Sequence, residues 1–304
     1  MIELSKSFVL ATDEVYSLCT RRGPEAEFFR SFASKGFAGM REGMTQQGFY
    51  YITVAGELLF SDNTRDPRRA VRGMREALSK WKDLPRDRRL RSPTPEKNLP
   101  GRDRGEDLYP KDGLVLRECV RDVGERRAIE GSTAAINFDY AWFKAEEARQ
   151  LVPSPVRKGS TLAWPDALAR RLAKLHLVDT VPGLGDAFTD RGIERATISS
   201  EVTDVKGDLV TIRIAGETKA VEQFRTANVP LTMELKLLGR ATFDVRASKF
   251  TAFELVAAGP RSGKPIRSHA EDKSTTIGFV FQLATDRPAE HIPPNFLGAY
   301  GWRR

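Results

Sequence analysis

The sequence predicts an α+β chain whose larger, C-terminal part is built on an antiparallel sheet. Three observations predict it. Beyond residue 108 strand-like segments follow one another with short turns between them: GLVLRECVRDV, ATISSEVTDVKGDLVTIRIAGE, LTMELKLLGRATFDV, KFTAFELVAAG and TTIGFVFQLA. Strands joined so closely pair as antiparallel neighbours, in a sheet or partial barrel. Helical spacing is confined to a few short stretches. Residues 85–107 (PRDRRLRSPTPEKNLPGRDRGED) carry four prolines, many charges and little to bury, which marks a basic linker between a first module over 1–84 and a second domain over 108–304.

Within the first module, residues 5–18 (SKSFVLATDEVYSL) read as a strand leading to a turn at Asp13-Glu14. Phe28, Phe29 and Phe32 have the spacing of a short helix pressed on a core. GFYYITVAGELLFS reads as two strands joined at Ala55-Gly56. Asp66 followed by Pro67 opens a helix, with a capping side chain and proline in the first turn. Val71, Met74, Leu78 and Trp81 then repeat at spacings of 3, 4 and 3, giving an apolar, inward face.

In the second domain GLVLRECVRDV alternates along a strand and places Cys119 in the core, while DYAWFKAEEARQLV reads as a short helix ending before Pro153. Trp164-Pro165-Asp166 opens another helix, with Leu168, Leu172 and Leu175 on one face. Lys206-Gly207-Asp208 is the turn of a hairpin.

At 304 residues the chain is long enough for two ordinary cores. Its net charge of +8 is localised: residues 65–104 hold 14 Lys or Arg against 6 Asp or Glu, so the rest of the chain is balanced. No apolar stretch approaches the roughly 20 residues that span a bilayer, and the N-terminus lacks the basic start and apolar middle of a signal peptide. The expectation is a soluble protein, cytoplasmic if Met1 is the true start and exported if the chain is a processed product.

The order of elements in 5–82, and above all GFYYITVAGELLFSDNTRDPRRAVRGMREALSKW, resembles the C-terminal half of a thioredoxin-like domain. In that family two antiparallel strands precede a final helix that packs across the sheet, and SFVLATDEV is similar to the strand that follows the redox helix. The family's CxxC would lie upstream of SFVLATDEV, where this chain begins. Gln46, Gln47 and Gly48 stand where the family has a cis-proline before the GFYYI strand. The resemblance therefore implies a redox-inactive or incomplete module. The second part is similar to an α+β segment fused behind such domains in some environmental bacteria.

Candidate chemistry is sparse. Cys19 is the weak catalytic candidate: Arg21 and Arg22 beside it can lower a thiol pKa. GPRSGKP (259–265) lacks the spacing and the Ser or Thr of a phosphate loop, and Gly183-Leu184-Gly185 follows a helix rather than a strand. No metal site is expected, because His176, His269 and His291 lie far apart and no CxxC exists; His269, Glu271 and Asp272 form only a loose cluster. No cofactor is expected. On the 66–82 helix Arg68, Arg72, Arg75 and Lys82 fall within about 80° of one another, and Arg86, Arg88, Arg89 and Arg91 extend this basic stripe. The reading is a non-catalytic binding or interaction protein built on a degenerate thioredoxin-like module. One alternative is a thiol-redox accessory protein using Cys19. The other is polyanion or nucleic-acid binding through 65–104. The partner expected is thus a protein or a polyanion.

Overall fold

A computed structural model describes residues 2–12, 15–20, 23–37, 39, 46–90, 105–123, 136–181, 185–224, 229–263 and 274–302. The chain is α+β and forms two compact units, Met1–Arg102 and Asp103–Arg304.

The first unit contains α1 (Ile2–Ser5), α2 (Val15–Thr20), α3 (Pro24–Ala33), the antiparallel hairpin of β1 (Phe49–Ile52) and β2 (Leu58–Asp62), α4 (Pro67–Asp83) and a single turn, α5 (Arg86–Arg89). Among the described residues of 5–18 the expected strand does not form. Val9 and Leu10 are exposed, and Val15, Leu18 and Cys19, at helical spacing, pack from α2 onto Phe29 and Phe32. The hairpin and the helix after it form as expected. Gly56 turns the hairpin at φ +85°, a conformation that suits glycine, and the Asp66 carboxylate caps α4 by accepting from Arg68 N.

The inward line of α4 differs from the expected one. Gly73 and Ala77 are its buried residues, whereas Trp81 is 38% exposed and carries Arg89 stacked over its ring at 4.8 Å. Small residues win because the helix lies hard against the hairpin: a Cβ at Gly73 would fall 2.5 Å from the Phe60 ring.

The second unit is dominated by one eight-stranded antiparallel sheet, in the order β4-β3-β10-β9-β8-β7-β6-β5. Its strands are β3 (Leu114–Val123), β4 (Ile136–Phe143), β5 (Thr161–Ala163), β6 (Ile193–Lys206), β7 (Leu209–Glu222), β8 (Leu231–Asp244), β9 (Lys249–Ser262) and β10 (Thr275–Leu283), with helices α6 (Ala145–Arg149) and α7 (Asp166–Leu175). Alternation decides the faces. Ile212 and Ile214, Leu235 and Leu237, Leu255 and Ala257, and Phe279 and Phe281 turn to one face. There they meet Leu168, Leu172 and Ala173 of α7 in a single core.

Two expectations fail in this unit. DYAWF is strand β4 rather than helix, with Ala141 and Phe143 facing the core and Tyr140 and Trp142 the other side; only Ala145–Arg149 is helical. Cys119 lies on the outer face, half-buried, because it alternates with the inward Glu118 and Val120.

Gly73→Ala tests the packing of the first unit. Alanine favours an exposed helix over glycine by about 1 kcal/mol, yet here the substitution is expected to destabilise, because its methyl displaces Phe60. Chemical denaturation of the intact chain gives the sign.

Candidate functional site

In the core of the second unit the residue that breaks the apolar phase of β3 is Glu118. It takes the inward place between Leu116 and Val120, beside its register partners Asp139 on β4 and Phe281 on β10. His176, just past the end of α7, lies over it. Its Nδ1 is 3.2 Å from Glu118 Oε2 and its Nε2 2.6 Å from the Tyr300 hydroxyl. Trp142 N donates to that same hydroxyl at 3.2 Å. Asn295 N donates to Asp139 Oδ1 at 3.0 Å.

Arg171 of α7 completes the surroundings. It makes a two-pronged pair with Glu147 at 2.7 and 2.8 Å, donates to Trp142 O at 3.1 Å, and has its guanidinium 4.5 Å from the centre of the Tyr300 ring. The edge-facing N–H and C=O of Trp142, on the terminal strand β4, are thus both taken within the chain.

Burial governs the titration of the cluster. It pushes the Glu118 carboxyl well above the ordinary range, with the neighbouring Asp139 charge adding to it. It raises Asp139 to about 6 and lowers His176 to about 3, so the imidazole is neutral. Glu118 thus keeps its proton and the neutral His176 is hydrogen-bonded at Nδ1 to Glu118 and at Nε2 to the Tyr300 hydroxyl.

Glu118, Asp139 and His176 also present one ligand atom each within 4.8 Å of one another, a donor set suited to a small divalent cation. Both imidazole nitrogens are, however, already engaged by Glu118 and Tyr300. At 3% and 2% exposure Glu118 and His176 are closed to a substrate. The chemistry this cluster performs where it stands is attachment: it joins β3, α7, β4 and the 295–300 segment.

A second buried group ties the residues after α7 to the sheet. Arg261 Nη1 is 2.7 Å from Asp179 Oδ2, and its Nη2 is 3.1 Å from Asp122 and 2.6 Å from the Thr275 hydroxyl. An open groove lined by Thr189, Asp190, Arg191, Gly192, Val221 and Glu222 has its acids already taken, Asp190 by Lys174 and Glu222 by Thr189 N.

The residues singled out from the sequence are dispersed. Cys19 is a free thiol, half-buried against the aromatic cluster of the first unit; Arg21 and Arg22 lie outside the described residues. Arg68, Arg72, Arg75, Lys82 and Arg86 are exposed. Arg88 pairs with Glu57, and Arg89 covers Trp81. Arg91, the 91–104 stretch, His269, Glu271, Asp272, Lys264, Pro265, Gly183 and Leu184 lie outside the described residues.

The outer face of the sheet holds what the sequence did not disclose. Register aligns Phe138 with Cys119, Cys119 with Val280, Val280 with Val256, Val256 with Leu238, and Leu238 with Ala215. The result is one unbroken apolar row across six strands. Leu238 is 63% exposed, Phe138 60%, Val256 47% and Val280 39%. The row on one side reads Arg117, Gln282, Glu254, Arg240, Arg213, Glu201 from β3 to β6. On the other side stand Arg121, Lys236 and Glu217. An apolar strip with polar rims is the composition of an interaction surface.

Two substitutions test the buried cluster. Tyr300→Phe removes the hydroxyl shared by Trp142 N and His176, and is expected to cost about 1–3 kcal/mol while speeding amide exchange at Trp142. Asp139→Asn keeps an oxygen for Asn295 N. A carboxyl whose pKa is raised by folding supplies stability below its unfolded pKa and loses it as pH rises through about 6. The variant should therefore gain on its parent between about pH 4 and pH 7, as read by denaturation at each pH; a constant difference would contradict the assignment.

Comparison with known proteins finds no matching family model, no matching curated protein and no matching solved structure.

Proposed function

We propose that this chain is a non-catalytic interaction protein whose working surface is the outer face of the eight-stranded sheet. The observation that carries the reading is the apolar row from Phe138 to Ala215, matched residue to residue across six strands and exposed along most of its length. Isolated exposed apolar residues are ordinary on any surface, whereas a contiguous, rimmed strip favours a covered state. The occupant is a second copy of this chain.

In the same reading the first unit is a degenerate thioredoxin-like module. The hairpin of β1 and β2 followed by α4 supports this. Residues 7–12, matched in the family to a strand, carry none.

Oxidative surface footprinting of the native protein tests the surface. Leu238, Val256 and Phe138 should be protected well below the level their exposure implies, while Leu10 and Val54, also exposed, react freely. Leu238→Glu should lift the protection of Val256 and Phe138. Reactivity that simply follows exposure would sink the reading.

A second reading, polyanion binding by α4, is favoured by a separate observation. Arg69 and Lys80 are paired to Asp62 and Glu76. Arg68, Arg72, Arg75 and Lys82 are exposed and, among the described residues, joined to no acid. Contacts to phosphates or sulfates give binding that falls steeply with salt. Retention on heparin should accordingly drop sharply with ionic strength and weaken on replacing Arg68, Arg72 and Arg75 by Gln; retention unchanged by that triple replacement excludes α4 as the contact.

A further inference from the structure

Resting on the interaction reading above, we infer that the outer sheet face is closed by a second copy of this chain, packed face to face about a two-fold axis that runs along the strands between β8 and β9. A two-fold in that place sets β9 of one copy over β8 of the other, β10 over β7, and β3 over β6. Applied to the strand register, it brings Val256 over Leu238 and Val280 over Ala215, apolar on apolar. In the rim row it brings Glu254 over Arg240, opposite charges beside the axis, with Gln282 over Arg213. In the opposite rim Lys236 meets Ala258 and Glu217 meets Gly278. None of these rim positions sets like charge against like.

The alternative two-fold, along the apolar row, fails this test. It sets one rim against the other on the same strand and brings Arg240 over Lys236, both cationic. Charge therefore selects one axis of the two.

The six strands that face one another, at about 4.8 Å spacing, give a face about 24 Å across, and the apolar row with its two rims is about 20 Å deep. That makes about 500 Å² per copy, the size of a weaker, concentration-dependent contact below the roughly 800 Å² of a standard interface. Packed sheets cross at about −30° through their twist. The crossing displaces outlying pairs by up to a row but leaves those beside the axis, Val256–Leu238 and Glu254–Arg240, in register.

The test uses the intact chain and exploits the two-fold. Glu254 and Arg240 are also neighbours within one sheet, so a double charge swap in one chain would restore both kinds of contact and decide nothing. Mixing separates them. Arg240→Glu alone and Glu254→Arg alone should each weaken self-association about tenfold or more, since two like-charge contacts replace two attractive ones. An equimolar mixture of the two variants should recover association close to the parent's. In the mixed dimer the glutamate introduced in one variant meets the arginine introduced in the other, and the second contact is the original Glu254–Arg240 pair. The neutral variants Arg240→Gln and Glu254→Gln should weaken association less.

Sedimentation velocity reads the association, and footprinting of Leu238 on the same samples reads the face. A monomeric parent overturns the inference; if Leu238 is nevertheless protected, the interaction reading stands with a different occupant. A dimer that neither single variant weakens, or that mixing fails to restore, overturns the inference by placing the contact elsewhere. A monomer with freely reactive Leu238 ends both.

Discussion

The packing of α7 against the inner face of the wide sheet is the interaction on which the rest of the structure depends. That helix contributes Leu168, Leu172 and Ala173 to a core shared with β3, β4 and β6 through β10. Burial on this scale is the main favourable term in folding, and here it is concentrated on one face. On the outer face Val115, Tyr140 and Trp142 are covered by Leu108, Tyr109, Leu297, Tyr300 and Trp302 at the β3–β4 corner, and the rest is left to side chains that are charged at the rims and apolar along the middle row. A sheet covered on both sides would show near-continuous apolar strands, and a sheet meant for water on one side would show a polar outer face throughout. This sheet does neither, and its outer surface has the composition of a contact surface.

The edge of the sheet raises a separate problem with a local solution. β4 is the terminal strand on its side, and an open edge invites pairing with another chain. Tyr300 and Arg171 occupy the Trp142 N–H and C=O, while His176 and Glu118 hold the tyrosine hydroxyl from beneath. With this edge blocked at Trp142, face-to-face contact is favoured over edge-to-edge growth. The buried acids and imidazole thus have a structural office. Keeping Glu118 protonated and His176 neutral spares the core two uncompensated charges, which burial would make costly.

Much of the architecture was legible in the sequence, and what escaped did so for identifiable reasons. β6 through β10 announce themselves by alternation, and the Gly207 turn by its glycine. β4 was hidden because DYAWF runs directly into KAEEARQ, whose helical character colours the whole stretch. Residues 5–18 misled because Ser, Phe, Val and Leu in succession resemble a strand, although among the described residues no strand pairs with them. Glu118 left a trace that could have been followed: it stands at an apolar phase of GLVLRECVRDV, where a charge must find a buried partner. Its partner His176 is 58 residues away, and Tyr300 a further 124 beyond that, so no spacing rule joins them. The outer apolar row is invisible for a similar reason. Each strand contributes one ordinary exposed apolar residue, and only the register, set by turns and bulges, aligns them.

Cys119 lies within that row, between Phe138 and Val280, while Cys19 lies in the other unit. The most direct measurement is the rate of thiol labelling of both cysteines in the native protein across a wide dilution series. A covered outer face predicts that Cys119 reacts slowly when the protein is concentrated and faster on dilution, with Cys19 constant throughout. A Cys119 rate that is independent of concentration would contradict the account.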